Sequence, residues 1–227
     1  MIEAKNVIKK YGQVTALDDF TVEIPKGKIG ILGPNGAGKS TFVKIALGLI
    51  ESTSGEITVL GENLDKNSIE IRKKIGYMPE HDCIPNKMTG VEFLIEMGQV
   101  SGLDYQTATQ RTHEILGHLR MGEEKYRLIE EYSGGMRQKI KLAQGLVHGP
   151  ELMFLDEPTS GLDPNARQEM LEYAAAAPGA TPRVLDIGAN HGLFAIFAAL
   201  RGAKVAAVEA QATLAGLVEV SALANGV

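Results

Sequence analysis

The residues best suited to chemistry in this sequence form a glycine-rich stretch that ends in Lys-Ser-Thr. Residues 33–41 fit the pattern G-x-x-x-x-G-K-[ST] of a phosphate-binding loop. In such a loop the glycines let backbone N–H groups turn towards phosphate oxygens, and the following helix adds the positive end of its dipole. Lys39 would place its charge at the β- and γ-phosphates, and the Ser40 hydroxyl would bind Mg²⁺. The expected phosphate-binding residues are Gly33, Pro34, Asn35, Gly36, Ala37, Gly38, Lys39, Ser40 and Thr41.

The elements around residues 33–41 are those that such a loop needs. Residues 28–32 predict a short buried strand, and the apolar residues between 41 and 49 predict a helix. A chance glycine turn ahead of a helix is the alternative, and the order strand, loop, helix argues against it.

A second stretch carries two carboxylates. Residues 152–155 are apolar and predict a buried strand, which delivers Asp156 and Glu157 at its carboxyl end. In a Mg²⁺-nucleotide site, Asp156 would support the metal through Ser40 and water, and Glu157 would polarise the attacking water. A strand followed by a polar turn is the alternative, which the phosphate-binding pattern disfavours.

A third stretch, residues 132–139, places Ser133, Gly134 and Gly135 ahead of a predicted helix. Taken alone, it is either another anion site or a plain helix cap. Residues 89–120 predict two helices, with Thr89 and Glu92 as a capping box at the start of the first and the second running from about 105 to 119. The remaining predicted elements are strands at 2–8, 20–24, 56–60 and 75–78, and a short helix at 68–74.

The composition is typical of a globular protein, with 44% hydrophobic and 22% charged residues. The net charge of −5 argues against a nucleic-acid binder. Cys83 is the one cysteine of the sequence, so no disulfide framework is expected. Neither a membrane-spanning run nor an apolar signal core is evident. We therefore expect a cytoplasmic chain that contacts a membrane only through a partner.

The composition changes sharply near residue 174. Residues 1–173 contain 7 Ala, 16 Ile and 14 Lys, whereas residues 174–227 contain 17 Ala, 2 Ile and 1 Lys. The break coincides with residues 174–182, a stretch of alanine, glycine and proline that is typical of a linker. The tail is therefore either a second domain or one side of a joint between two unrelated sequences.

Taken together, residues 1–173 resemble the ATP-binding domain of an ATP-binding cassette (ABC) transporter. Residues 33–41 match its Walker A loop, residues 152–157 its Walker B strand, residues 132–136 its signature motif and residues 160–163 its D-loop. The resemblance implies a P-loop NTPase α/β core with a helical subdomain at about 88–148. It also implies that Tyr11 stacks on adenine and that Lys39 and Glu157 are catalytic.

The resemblance further implies partners. Two such domains would meet head to tail, as a homodimer or heterodimer, with each ATP held between Walker A of one and Ser133, Gly134 and Gly135 of the other. Transmembrane permease subunits would hold the chain at the inner face of the membrane. The usual Q-loop glutamine is Glu80 here, and the signature begins with Tyr132 and ends with Met136. These variants resemble the ABC-2 exporter group. The residues expected to bind Mg²⁺ are Ser40, Asp156 and Glu80.

The tail has a resemblance of its own. Residues 183–187 and 204–208 predict strands, with a glycine-bearing loop and a helix between them. The form D-x-G-x-N-x-G, from Asp186 to Gly192, resembles motif I of class I S-adenosylmethionine-dependent methyltransferases, in a Rossmann-like β-α-β-α fragment spanning 183–227. The resemblance implies that S-adenosylmethionine contacts Asp186, Gly188, Gly192 and Glu209.

The tail leaves three alternatives open. His191 lies 34 positions after Glu157, about where the transporter family places its switch histidine, although its setting differs from the family's. If the tail strands join the sheet of the body, His191 would approach the γ-phosphate. Otherwise the chain is a methyltransferase fragment or a non-functional composite. Because the residues of the ATP pocket are present and the family's usual switch histidine is not, ATP binding is expected to survive better than hydrolysis. A non-transport ABC ATPase of repair or translation is a further possibility.

Overall fold

The computed structural model describes residues 2–25, 28–31, 36–81, 83–156, 158, 162, 184–187 and 205–208. The chain divides into two compact units. The first unit combines Met1–Ile75 with Arg183–Val227, and the second comprises Gly76–Pro182. Strands and helices are numbered in chain order below.

An antiparallel sheet forms one layer of the first unit. Its strands are β1 (Ile2–Tyr11), β2 (Val14–Ile24), β4 (Ser54–Val59) and β5 (Glu62–Asn63), in the order β2-β1-β4-β5. β1 and β2 form a hairpin whose turn is Gly12 and Gln13. Ile2, Ala4 and Val7 of β1 are buried, so this strand presents its apolar side chains to the core.

The strand that precedes the glycine loop has a parallel partner strand on each side. β3 (Lys28–Ile31) pairs in parallel with β8 (Val184–Ile187) on one side and with β9 (Val205–Val208) on the other. The predicted tail strands therefore join the sheet of the body, as one of the sequence alternatives requires. Ile31 and Ile187, the last residues of β3 and β8, are partners in the parallel register. The two strands therefore end side by side at the same edge of the sheet.

Two helices lie in the described part of the first unit. α1 (Lys39–Ala46) buries Phe42, Val43, Ile45 and Ala46, and the Phe42 ring lies 5.1 Å from the Phe20 ring of β2 between centroids. α2 (Leu64–Lys73) is interrupted at Asn67, whose backbone leaves the helical region. The apolar face of α1 thus packs against the antiparallel layer.

The second unit is largely helical. Its strands β6 (Ile75–Met78, which begins at the unit boundary) and β7 (Leu152–Asp156) are neighbours in a sheet. Its helices are α3 (Gly90–Val100), α4 (Tyr105–His118) and α5 (Gly134–Leu146), with 3₁₀ turns at Glu123–Tyr126 and Ile129–Glu131. The largest fully buried side chains in its described part are Met78, Leu94, Leu116, Ile129, Ile140, Leu142, Phe154 and Leu155.

Where the structure describes the predicted elements, prediction and observation agree in type. Strand 75–78 is confirmed as β6, and the helix predicted from about 105 to 119 is α4. The hairpin strands β1 and β2 are longer than predicted, because pairing with each other extends them to the turn. α2 begins at Leu64, four residues before the prediction, since the interruption at Asn67 hides its first turn from the sequence pattern.

The capping box predicted at the start of α3 is confirmed. The Glu92 N–H donates to the Thr89 hydroxyl at 3.2 Å, and the Thr89 N–H donates to the Glu92 carboxylate at 2.9 Å. The Thr89 N–H and the Thr89 hydroxyl, which both donate to the Glu92 carboxylate at 2.9 Å, hold the pKa of the Glu92 carboxyl below its usual range. Two otherwise orphaned donors of the helix end are satisfied in this way.

No helix within the described part of the chain has the length and apolar character needed to cross a membrane.

Thr89→Ala should lower the free energy of unfolding by about 1 kcal/mol, because the N-terminus of α3 loses its side-chain acceptor. Thr89→Ser keeps the hydroxyl and should retain most of that stability. Urea denaturation of the two variants measures the difference. Equal losses in both variants would show that the methyl group, and not the cap, stabilises this position.

Candidate functional site

The amino end of α1 differs from those of α3, α4 and α5. Side-chain oxygens of Thr89, Asp104 and Ser133 cap α3, α4 and α5, whereas α1 starts after Gly38 with no side-chain cap. The first-turn N–H groups of a helix have no acceptor within the helix itself. At α1 these groups and the positive end of the helix dipole are suited to an external anion.

Gly38 fits its position for two reasons. Its φ of +84° lies in the left-handed region, and a Cβ on it would meet the backbone oxygen of Ala16 and come within 2.8 Å of Leu17 Cδ2. Gly36 has the same φ, but a Cβ there would meet nothing within 4 Å. The loop is thus pressed against β2 at Gly38 and open at Gly36, as a cradle for a phosphate group requires.

The other predicted phosphate-binding residues divide into two groups. Lys39 is the first residue of α1 and is partly exposed, and Ser40, beside it, is exposed. Ala37 and Thr41 are also among the described residues, whereas Gly33, Pro34 and Asn35 lie outside them. The described part of the loop therefore offers an uncapped helix end, a cation and a hydroxyl.

Asp156 ends β7 as predicted and is 7% exposed. The Tyr77 hydroxyl of β6 donates to its Oδ2 at 3.4 Å. Burial, together with the Asp156 charge, raises the pKa of Tyr77 to about 12. The tyrosine therefore stays a protonated donor at neutral pH and helps to hold the carboxylate in place. Glu157, the second predicted carboxylate, lies outside the described residues.

Glu80, the predicted Q-loop residue, follows β6 and has an exposed side chain. Its backbone carbonyl accepts a hydrogen bond from Lys141 Nζ at 2.8 Å. Lys141 belongs to α5 and is 2% exposed. Neither Tyr77 nor Lys141 is among the site residues predicted from the sequence. For Lys141, the available signal was its place between the apolar residues Ile140 and Leu142 of α5.

The described residues contain no cluster of three His, Cys, Asp or Glu side chains that could hold a metal ion. This does not conflict with Mg²⁺, which proteins commonly bind through one or two carboxylates plus phosphate oxygens and water. The buried Asp156 carboxylate and the Ser40 hydroxyl are oxygen donors of the kind that Mg²⁺ prefers. Each of these groups, taken within its own unit, is therefore chemically suited to Mg²⁺ that is brought in with a nucleotide.

The predicted signature residues lie at the start of α5. The Ser133 hydroxyl accepts from the Met136 N–H at 3.3 Å and so caps the helix. Gly134 is exposed, and a Cβ on it would meet nothing within 4 Å. Ser133, Gly134 and Gly135 thus form an accessible helix end, and capping by Ser133 leaves the glycine N–H groups at its surface.

Tyr11, the predicted adenine contact, ends β1 and is 48% exposed. Lys9 Nζ lies 5.1 Å from the centroid of its ring. An exposed ring with a cation beside it is a suitable surface for an electron-rich base.

The remaining predicted site residues lie outside the described part of the chain. They are the D-loop residues Ser160, Gly161 and Asp163, and the tail residues Gly188, His191, Gly192 and Glu209. Asp186 is described by its backbone alone, in β8 opposite Gly30 of β3.

Comparison with known proteins gives a consistent result. Residues 17–160 match the family described as ABC transporter. The chain is 38% identical over 173 residues to the linearmycin resistance ATP-binding protein LnrL of Bacillus subtilis (strain 168), covering 76% of this chain and 56% of that protein. It is 35% identical over 185 residues to the daunorubicin/doxorubicin resistance ATP-binding protein DrrA of Streptomyces peucetius, covering 81% and 56%.

A third relative is the Nod factor export ATP-binding protein I of Sinorhizobium fredii (strain NBRC 101917 / NGR234), with 38% identity over 172 residues, 75% of this chain and 50% of that protein. The chain thus spans little more than half the length of these curated relatives. Among solved structures, a dimeric ATP-binding cassette in a post-hydrolysis state with ADP and Pi has a TM-score of 0.76 at 23% identity, covering 92% of this chain and 96% of that chain. An ATP-binding subunit of an ABC transporter has a TM-score of 0.75 at 26% identity, covering 92% and 85%.

Tyr77→Phe should change how stability depends on alkaline pH. With a folded-state pKa of about 12, raised above the ordinary value of 10.0, Tyr77 contributes stability that is complete below pH 10 and is lost as the pH rises towards 12. The parent should therefore lose stability more steeply than Tyr77→Phe between pH 10 and pH 12 in urea denaturation.

Tyr105→Phe, which removes an exposed hydroxyl, is the matched control for this measurement and should keep the slope of the parent. Parallel curves for the parent and Tyr77→Phe would contradict the placement of the Tyr77 hydroxyl against Asp156.

Proposed function

Because the chain belongs to the ABC transporter family and has its P-loop ATPase fold, we propose that it is the ATP-binding and ATP-hydrolysing subunit of an ABC-2-type exporter. The observation that carries this proposal is the uncapped amino end of α1, with Gly38 before it and Lys39 as its first residue. That arrangement supports phosphate binding independently of the family match.

The proposed roles follow from the chemistry of each group. Lys39 places its positive charge on the β- and γ-phosphates, and the N–H groups from Gly36 to Thr41 donate to phosphate oxygens. The exposed Tyr11 ring stacks on adenine. Ser40, Asp156 and Glu80 would hold Mg²⁺, and the bound Mg²⁺ would neutralise part of the negative charge of the phosphates. We assign the loop residues Gly33, Pro34 and Asn35 to the same phosphate site.

Hydrolysis requires a group that orients water. We assign this role to Glu157, which follows the strand-ending Asp156, as general base for the attacking water. Phosphoryl transfer depends mostly on positioning and on electrostatic stabilisation, so Lys39 is the second catalytic residue. Its cation would balance the charge that develops on the transferred phosphoryl group.

We propose that the exposed end of α5 serves a second copy of the domain. Ser133, Gly134 and Gly135 would hold the γ-phosphate of a nucleotide bound to the partner domain, in a homodimer or heterodimer. A ligand that binds the closed pair better than the separate domains shifts the population towards the pair. The dimeric cassette among the related folds supports this assembly.

The proposed partners and the proposed transported molecule are inferred from the names of the relatives. Their names describe antibiotic resistance and Nod factor export. We therefore propose that permease subunits hold the chain at the inner face of the membrane and that the complex exports a small molecule. No role with nucleic acid is proposed.

For the tail, we propose that residues 183–227 complete the cassette begun by residues 1–173, after a joint at 174–182. The parallel pairing of β8 with β3 favours this reading over a separate S-adenosylmethionine site. His191 follows Ile187 by four positions in the sequence and is the proposed substitute for the switch histidine. Under the competing hypothesis, Asp186, Gly188, Gly192 and Glu209 bind S-adenosylmethionine.

Lys39→Ala should abolish the rise in melting temperature that Mg·ATP gives the parent chain, since a ligand that binds only the folded state must raise the midpoint. Lys44→Ala is the matched control, because Lys44 is an exposed lysine of the same helix, in its last turn. It should keep the full shift. An equal shift in Lys39→Ala would refute the phosphate site.

His191→Ala should reduce ATP turnover by at least about tenfold, by loss of a group that assists proton transfer, while leaving the Mg·ATP melting shift in place. Steady-state ATPase rates measure this. Unchanged turnover would remove His191 from the mechanism, and a melting shift with S-adenosylmethionine that disappears in Asp186→Ala would support the competing hypothesis.

A further inference from the structure

A lysine is buried in the middle of α5. Lys141 is 2% exposed and lies between Ile140 and Leu142, which are also buried. Taking an ammonium group out of water costs free energy unless hydrogen bonds replace the lost hydration. A methionine or leucine would fill this position without that cost, so the charged group calls for a specific explanation.

The Lys141 ammonium donates to a backbone carbonyl that is distant in the sequence. Its Nζ lies 2.8 Å from the carbonyl oxygen of Glu80, 61 residues earlier in the chain. Glu80 stands two residues beyond Met78, where β6 ends. A carbonyl just past a strand end has lost its partner in the sheet, and Lys141 supplies one.

The acceptor is the backbone of Glu80, so the contact leaves its exposed carboxylate available for another task. A hydrogen bond to the carbonyl fixes the peptide plane and thereby the direction in which the side chain leaves the backbone. Lys141 also lies eight residues after Ser133, about 12 Å along the same helix. One rigid helix thus connects the serine end of α5 to the backbone of Glu80.

We propose that Lys141 is a positioning residue: it holds the backbone of Glu80, thereby sets the direction of the Glu80 carboxylate, which is the proposed Mg²⁺ ligand, and ties that carboxylate to the orientation of α5. This inference rests on the proposed function. Groups that orient metal ligands commonly change metal affinity by roughly 10- to 100-fold when they are removed.

The test is the Mg²⁺ concentration that gives half of the ATP-dependent rise in melting temperature. Lys141→Met removes the donor and keeps an unbranched side chain of similar volume, and it should raise that concentration roughly tenfold. Lys87→Met is the matched control, because Lys87 is an exposed lysine of the segment that follows Glu80. It should leave the Mg²⁺ dependence as in the parent.

A double-mutant cycle separates positioning from packing. If Lys141 acts through the Glu80 carboxylate, Lys141→Met should change the Mg²⁺ dependence little in a Glu80→Ala background. Lys141→Arg retains a cationic donor and should stay within about threefold of the parent, which keeps the test usable if the methionine variant folds poorly.

Hydrogen exchange without nucleotide gives an independent readout. The amides after Glu80 should exchange faster in Lys141→Met than in Lys87→Met. A lower melting temperature with an unchanged Mg²⁺ dependence would reduce Lys141 to a packing role and overturn the proposal. Absence of any Mg·ATP response in the parent would instead defeat the proposed function, and the role of Lys141 with it.

Discussion

The structure of the proposed phosphate site depends on one steric constraint, the close approach of Gly38 to β2. Its missing side chain lets the backbone lie against Ala16 and Leu17, and its left-handed φ turns the chain directly into α1. The tilted contact between the Phe42 and Phe20 rings holds the helix against the same strand. The amino end of α1 is therefore held open and uncapped at the place where a phosphate group gains most from backbone N–H donors and from the helix dipole.

In the second unit, the main constraint is the burial of two charged side chains. Asp156 and Lys141 are both almost fully buried, at the end of β7 and in the middle of α5. Each has a partner from β6 or from the residues that follow it, namely the Tyr77 hydroxyl and the Glu80 carbonyl. The short segment from Tyr77 to Glu80 thus stabilises two charges that would otherwise destabilise the unit. It also fixes the predicted Q-loop residue.

The sequence predicted those features of the structure that depend on local pattern. The glycine loop, the helix after it, the strand that ends in Asp156 and the capping box of Thr89 each have a local signal of composition or spacing. The partners of Tyr77 and Lys141 lie 79 and 61 residues away, so only the fold shows what these side chains contact, although the place of Lys141 between two apolar residues is a local signal. The pairing of β8 and β9 with β3 is equally non-local, which is why the sequence left the tail open between alternatives.

The central claim is that the amino end of α1 recognises the phosphates of a nucleotide. Isothermal titration of the 227-residue chain with Mg·ATP, Mg·ADP and adenosine tests it most directly. The account predicts binding of both nucleotides and a loss of at least about a hundredfold in affinity for adenosine, which offers α1 no anion. Equal affinity for adenosine and ATP, or no binding of ATP, would contradict it.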